Sequence, residues 1–207
     1  MLRNSLPFAF AGAWCTGLVL TIGLLALLSS PLSAKGSVSE KENAIAVYGG
    51  WLTSNDWQEV FLPARLDFVD SYLLALAVSR EVARPSDKTK IELEGQIVRH
   101  FDIQDHWEFN ALGVIRWTHF PWDEQLDMSA AGGLGLSYAT ELPEAELDFE
   151  GETERLLVYW MLELEAAIPS TDAWSMIARL HHRSPAYGLL GDGGGSNVVG
   201  LGLRYHF

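Results

Sequence analysis

The sequence predicts an all-β fold: an eight-stranded antiparallel transmembrane β-barrel preceded by a helical signal peptide. Three observations predict it. First, residues 196–207 alternate without a break. Val199, Leu201, Leu203, Tyr205 and Phe207 share one face; Gly200, Gly202, Arg204 and His206 share the other. That period of two belongs to a strand with one apolar side, and a strand that stops on Phe fits the closing strand of a bacterial outer-membrane barrel. Second, seven further segments repeat the alternation. Third, beyond residue 34 no run is long and apolar enough for a transmembrane helix, as expected where membrane character is carried by alternation instead.

Residues 1–34 read as the signal peptide. Arg3 supplies the positive start, residues 8–28 are largely apolar, and Ser29-Ser30-Pro31-Leu32-Ser33-Ala34 forms the cleavage region. The alternative is an uncleaved helix over 8–28. Cys15, the single cysteine, lies in this segment. The barrel domain, residues 35–207, is therefore predicted to use neither disulfides nor a thiol nucleophile.

The eight strand segments are 43–51, 68–82, 90–101, 106–118, 128–138, 153–167, 172–184 and 196–207. In 90–101, Ile91, Leu93, Gly95 and Ile97 oppose Glu92, Glu94, Gln96 and His100. In 106–118, Trp107, Phe109, Ala111, Ile115 and Trp117 oppose Glu108, Asn110 and Arg116. In 153–167, Leu156, Val158, Trp160, Leu162 and Leu164 oppose Tyr159, Glu163 and Glu165. The polar faces mix acids with Arg116, Arg179, His181 and Arg183, which suits a lumen filled by ion pairs. Eight strands leave room for side chains but not for a wide pore, so a porin is disfavoured. Gly132, Gly133 and Gly135 sit inside a strand and predict bending or close packing rather than a phosphate loop.

An even strand number puts both termini in the periplasm and the connections 52–67, 102–105, 139–152 and 185–195 outside the cell. The third holds Glu141, Glu144, Glu146, Asp148, Glu150 and Glu152 and is expected to be a solvated loop. The net charge of −13 argues against a nucleic-acid partner. The 8 tryptophans suit aromatic girdles. His106 and His119 lack the spacing of metal ligands, and no metal or cofactor is required.

One strand carries polar residues on its apolar face. In 174–184 the odd positions Ser175, Arg179, His181 and Arg183 point to the lumen. Trp174, Met176, Ala178 and Leu180 point out, and the outward series ends on His182 and Ser184. Polar groups facing lipid are costly unless satisfied or useful. Positions i and i+2 of a strand lie about 6–7 Å apart on one face, a gap that an imidazole can span to activate a hydroxyl. Any register that matches outward faces puts Asn197 opposite either Ser184 or His182. Asn197 can then orient the imidazole, or Asp192 can do so from the loop Gly191-Asp192-Gly193-Gly194-Gly195, whose amides are oxyanion candidates. The bland alternative is a pair of interface-level polar residues at a strand end. Ser184 ends a strand that rises to the external interface, the depth of the acyl esters of lipopolysaccharide.

The span from about 172 to 207, with His182-Arg183-Ser184 before a loop and a terminal strand, resembles the lipid A 3-O-deacylase (PagL) and acyloxyacyl hydrolase-like family of outer-membrane barrels. The resemblance implies removal of an acyl chain from lipid A, with His182 as base and Ser184 as nucleophile. It implies lipopolysaccharide as the partner, in the bacterial outer membrane, for a monomer or homodimer. The family's Asn after the Ser is Pro185 here, and its acid near the last strand has no acidic match among Ser196, Asn197 and Val198. The alternative function is a non-catalytic structural or adhesive barrel.

Overall fold

The computed structural model describes residues 41–169, 171 and 173–207. The expected signal peptide, residues 1–34, lies outside them. Eight antiparallel strands form a closed barrel in sequence order: β1 Asn43–Thr53, β2 Phe68–Ser86, β3 Thr89–Asp102, β4 Trp107–Trp117, β5 Met128–Ala139, β6 Leu156–Ala167, β7 Trp174–Ser184 and β8 Ser196–His206. β1 closes the sheet on β8, from Ala44 opposite His206 to Thr53 opposite Asn197. Closure leaves no unpaired edge, the condition for a sheet in a bilayer. The end with Asn43 and His206 is the terminal end; the opposite end is the loop end.

Alternation sorts the side chains as the sequence predicts. Ile115 and Leu134 on the outer wall are 62% and 64% exposed, while Arg179 and Glu163 in the lumen are each 2% exposed. This inverts a water-soluble barrel, and only an apolar solvent makes it stable. Inside, Arg116 bonds Glu92 (2.8 Å), Glu163 (2.9 Å) and Glu165 (2.8 Å). Arg179 bonds Glu94 (2.7 Å) and Glu163 (2.5 Å), and Arg204 lies 2.9 Å from Glu163. Tyr48 donates to Gln96 at 3.1 Å and Asn110 donates to the same oxygen at 3.0 Å. Nearly every lumen charge touches its opposite, so the network fills the barrel as a plug. A cavity at the terminal mouth beside Lys90, Glu92 and Arg116 measures only ≈ 20 Å³, room for about one water rather than a channel.

Glycines set the closeness of neighbouring strands at two places. A Cβ at Gly135 would collide with the Ala111 carbonyl and the Leu112 backbone, and one at Gly202 with the Val47 carbonyl and Tyr48. Small residues there let the wall tighten, as the Gly-Gly-Leu-Gly run predicts.

Two segments depart from expectation. β2 runs past residue 82 to Ser86, because a register shift at Glu81/Ala83 lets it continue as a hairpin with β3 down to the pair Ser86–Thr89. The acidic connection 139–152 is not simply solvated. It contains a helix, α1 (Glu144–Glu150), that ends on Gly151 at φ 80°. α1 turns Glu146 inward, where its carboxylate accepts hydrogen bonds from Thr153 (2.5 Å) and Ser196 (2.8 Å) and faces Arg183 at 3.6 Å. One acid of the cluster therefore closes the loop end, and β6 starts at Leu156, after those contacts.

The outer wall yields a direct test. Leu134→Arg puts a guanidinium at mid-depth on the lipid face. Its unfolding free energy in liposomes, from denaturant titration, should fall by about 2–4 kcal/mol. Glu141→Arg in the exposed loop should change it by less than about 0.5 kcal/mol.

Candidate active site on the outer wall

β7 places His182 and Ser184 on the outer wall at the loop end, as parity requires. The register puts His182 opposite Asn197 of β8 and opposite Trp160 of β6, with Ser184 opposite Val158. His182 is nevertheless only 8% exposed. Its ring packs on Trp160 at 4.5 Å between centroids, and Trp57, from the β1–β2 connection, stands edge-on to Trp160 at 5.7 Å. A polar ring on the lipid face is thus covered by aromatic surface.

Asn55 holds that connection in place. Its side-chain oxygen accepts from Thr53 Oγ1 (2.6 Å) and from the Asp67 amide (2.7 Å), while its Nδ2 donates to Arg65 O (3.0 Å). One Asn therefore ties both ends of a loop that includes two short 3-10 turns, Glu59–Phe61 and Pro63–Arg65. The carbonyl of Asn55 then meets the site: Asn197 Nδ2 donates to it at 3.0 Å.

That contact decides the state of the imidazole. A backbone carbonyl can only accept, so the amide nitrogen of Asn197 points at Asn55 and its oxygen points at His182. Asn197 Oδ1 lies 2.6 Å from His182 Nδ1. The oxygen can only accept, so Nδ1 carries a proton, and in the neutral ring Nε2 is the nitrogen with the lone pair. A neutral ring oriented by an amide, with no hydrogen bond at Nε2 among the described residues, has the geometry a general base requires.

Ser184 is half-buried, and its Oγ accepts from the Ala186 amide at 3.1 Å. Among the described residues no hydrogen bond joins it to His182, so base and hydroxyl share a face without the expected direct link. The chain then turns sharply: Ala186 (φ 52°) and Tyr187 (φ 58°) are left-handed, a strained conformation for residues with a Cβ.

Of the two candidate orienting groups, Asn197 holds the ring, while Asp192 is exposed in the β7–β8 loop. The glycines beside Asp192 pack elsewhere. Cβ atoms at Gly193 and Gly194 would collide with Glu152 and Thr153, so this loop is docked on the β5–β6 connection. His181 and Arg183 face the lumen as expected. His181 Nε2 lies 3.0 Å from Glu108, and Arg183 donates to the carbonyls of Glu154 and Arg155 at 3.1 and 3.3 Å.

Sequence reasoning missed Asn55 and Trp57, which reach the site only because a loop folds back over the wall. Trp160, read as a lipid-facing residue, could have been paired with His182 from parity once the β6–β7 register was known.

Solved structures with similar architecture were found. The chain is similar to the crystal structure of the outer membrane enzyme PagL, with a TM-score of 0.56 and 10% identity over 79% of this chain and 99% of that one. It is also similar to a de novo designed transmembrane β-barrel, at a TM-score of 0.48 and 11% identity, over 84% of this chain and 98% of the other. These likenesses concern the fold. No protein-family model matches the chain, and no curated protein matches it.

Removing the Asn197 amide should unpair two buried groups at once, His182 Nδ1 and the Asn55 carbonyl. Asn197→Leu is expected to lower unfolding free energy by about 1–3 kcal/mol in detergent or bilayer. A loss below about 0.5 kcal/mol would show that the amide orients nothing.

Proposed function

We propose that the chain is a bacterial outer-membrane esterase that removes an acyl chain from lipid A of lipopolysaccharide. The observation that carries the reading is a buried imidazole on the lipid-facing wall. Its Nδ1 is committed to Asn197, and it lies two residues from a hydroxyl at the end of the same strand. An apolar wall normally excludes such a group, and a barrel needing only stability would place Leu there. The apolar exterior and the likeness in fold to an outer membrane enzyme support the location.

In this mechanism Ser184 rotates away from the Ala186 amide. Its Oγ attacks the ester carbonyl as His182 Nε2 takes the proton. The bond from acyl carbon to sugar oxygen breaks, and the imidazolium returns the proton to that oxygen. Water, deprotonated by the same Nε2, then attacks the acyl-serine; the acyl–Oγ bond breaks, the imidazolium returns the proton to Ser184 Oγ, and a free fatty acid leaves. Asn197 holds the ring through both steps. It supplies orientation without the negative charge of a carboxylate, so imidazolium formation is stabilised less than in an acid-containing triad.

A second reading is a non-catalytic structural or adhesive barrel. It is favoured by one observation: Ser184 Oγ is turned toward the Ala186 amide, from which it accepts, and among the described residues no hydrogen bond joins it to His182.

Mass spectrometry of lipid A after incubation of the purified protein with lipopolysaccharide decides between them. The esterase reading predicts loss of one acyl chain, abolished in Ser184→Ala and slowed by about 10²–10⁴-fold in His182→Gln. Retention of every chain by wild type, where a reference deacylase works, favours the structural barrel. Loss that persists in Ser184→Ala removes that residue as the nucleophile.

A further inference from the structure

We propose that the loop end of the lumen is a binding site for a zinc-class divalent cation, with His100, His106 and Glu108 as its ligands. One ligand atom from each of these buried residues lies within 4.8 Å of the other two. The site is on the opposite side of the wall from His182 and does not depend on the esterase reading.

The fold brings the three together across one turn. The His100 amide donates to the His106 carbonyl at 3.0 Å, which carries the β3–β4 register one pair beyond Arg99–Trp107. His106 is thereby directly opposite His100, and Glu108, two residues along β4, is diagonal on the same inward face. The two imidazoles stack at 4.4 Å with planes 12° apart. Sequence spacing hid this set, since His106 finds its partner across a turn rather than along a strand or helix.

Three features point to a ligand. His106 is 3% exposed, and its Nε2 has no hydrogen-bond partner among the described residues. A buried polar atom left so is uncommon, and a place for a bound ion is one of the physical explanations. Next, Glu108 is already held from both sides. His100 Nε2 donates to one oxygen at 2.8 Å and His181 Nε2 to the other at 3.0 Å. Tyr48 and Tyr159 in turn stand 3.0 and 3.2 Å from His181 Nδ1. With His100 itself a ligand, His181 and the tyrosines are the outer layer, and a carboxylate fixed in that way is how proteins aim a metal ligand. Finally, two imidazoles and one carboxylate form a donor set for zinc and its neighbours, not for calcium or magnesium, which take oxygen.

Ligand atoms in a tetrahedral zinc site lie about 3.3–3.4 Å apart, given bonds of about 2.0–2.1 Å. The three residues therefore need to move by only about an ångström. A cation seated there replaces the proton that His100 shares with Glu108 and releases it to water. Arg183, the lumen cation of the loop end, faces Glu146 at 3.6 Å, and Glu108 supplies the negative charge to meet the divalent cation.

The test uses untagged barrel refolded in detergent, stripped by a chelator and titrated with zinc chloride in a calorimeter. Wild type should take up one equivalent. His106→Gln should bind at least about 100-fold more weakly, at or beyond the upper end of the ~10–100-fold that loss of a merely supporting hydrogen bond costs. Heat-dependent gel mobility checks that each variant is folded. His119→Ala, which alters a turn histidine whose side chain is 56% exposed, should leave uptake unchanged. X-ray absorption at the zinc edge of wild type should show imidazole scattering and a nitrogen/oxygen shell at about 2.0–2.1 Å. That measurement keeps the assignment testable if a variant does not fold. No uptake by folded wild type, uptake that survives in His106→Gln, or loss in His119→Ala would overturn the site.

Discussion

A closed sheet in hydrocarbon has two faces and no third place for a charge. Arg116, Arg179 and Arg204 must therefore point inward, and once inside they must be paired. They share Glu92, Glu94, Glu163 and Glu165 within hydrogen-bonding range. Such buried networks add little net stability compared with an apolar core, but breaking one member is expensive. Their cost elsewhere in the fold is clear. Among the described residues the lumen is filled by mutual satisfaction of these charges.

That allocation gives meaning to the exceptions. The outer wall is apolar along β7 until Leu180, and then carries His182, Ser184 and, from β8, Asn197. The fold does not leave these polar groups bare. Trp160 covers the imidazole, Trp57 stands edge-on to Trp160, and Asn55 anchors the loop that brings Trp57 in. The imidazole is covered, its Nδ1 is committed to Asn197, and its Nε2 has no hydrogen bond among the described residues; the proposed function rests on that arrangement. The neighbouring residue, His181, points the other way and orients Glu108 in the lumen. One step along the chain thus separates a site facing lipid from a cluster facing the interior.

Much of this was legible in the sequence because its carrier is parity. A period of two needs no tertiary information, so the strands, their inward charges and the outward placement of His182, Ser184 and Asn197 could all be read from residue numbers. Parity alone left the β7–β8 register open between two values; the structure pairs Asn197 with His182. What could not be read depends on loops and turns. Asn55 and Trp57 reach the wall through a long connection with no periodicity. Glu146 is one acid among many until α1 turns it inward. His106 meets His100 only when the turn between β3 and β4 closes. The direct bond expected from His182 to Ser184 is absent among the described residues for a similarly local reason, since the Oγ points into the turn, where it accepts from the amide two residues on.

The central claim is that β7 presents alternate residues to lipid and lumen up to its loop end. With Cys15 replaced by Ser, single cysteines introduced one at a time from 176 to 184 can carry nitroxide labels in a liposome-embedded barrel. Collision with oxygen, which concentrates in hydrocarbon, should be high at 176, 178 and 184 and low at 177, 179 and 181. A label at 182 should become more oxygen-accessible when Trp160, whose ring packs on His182, is replaced by Ala. Equal accessibility at odd and even positions, or the opposite phase, would contradict the outward placement on which the proposed function stands.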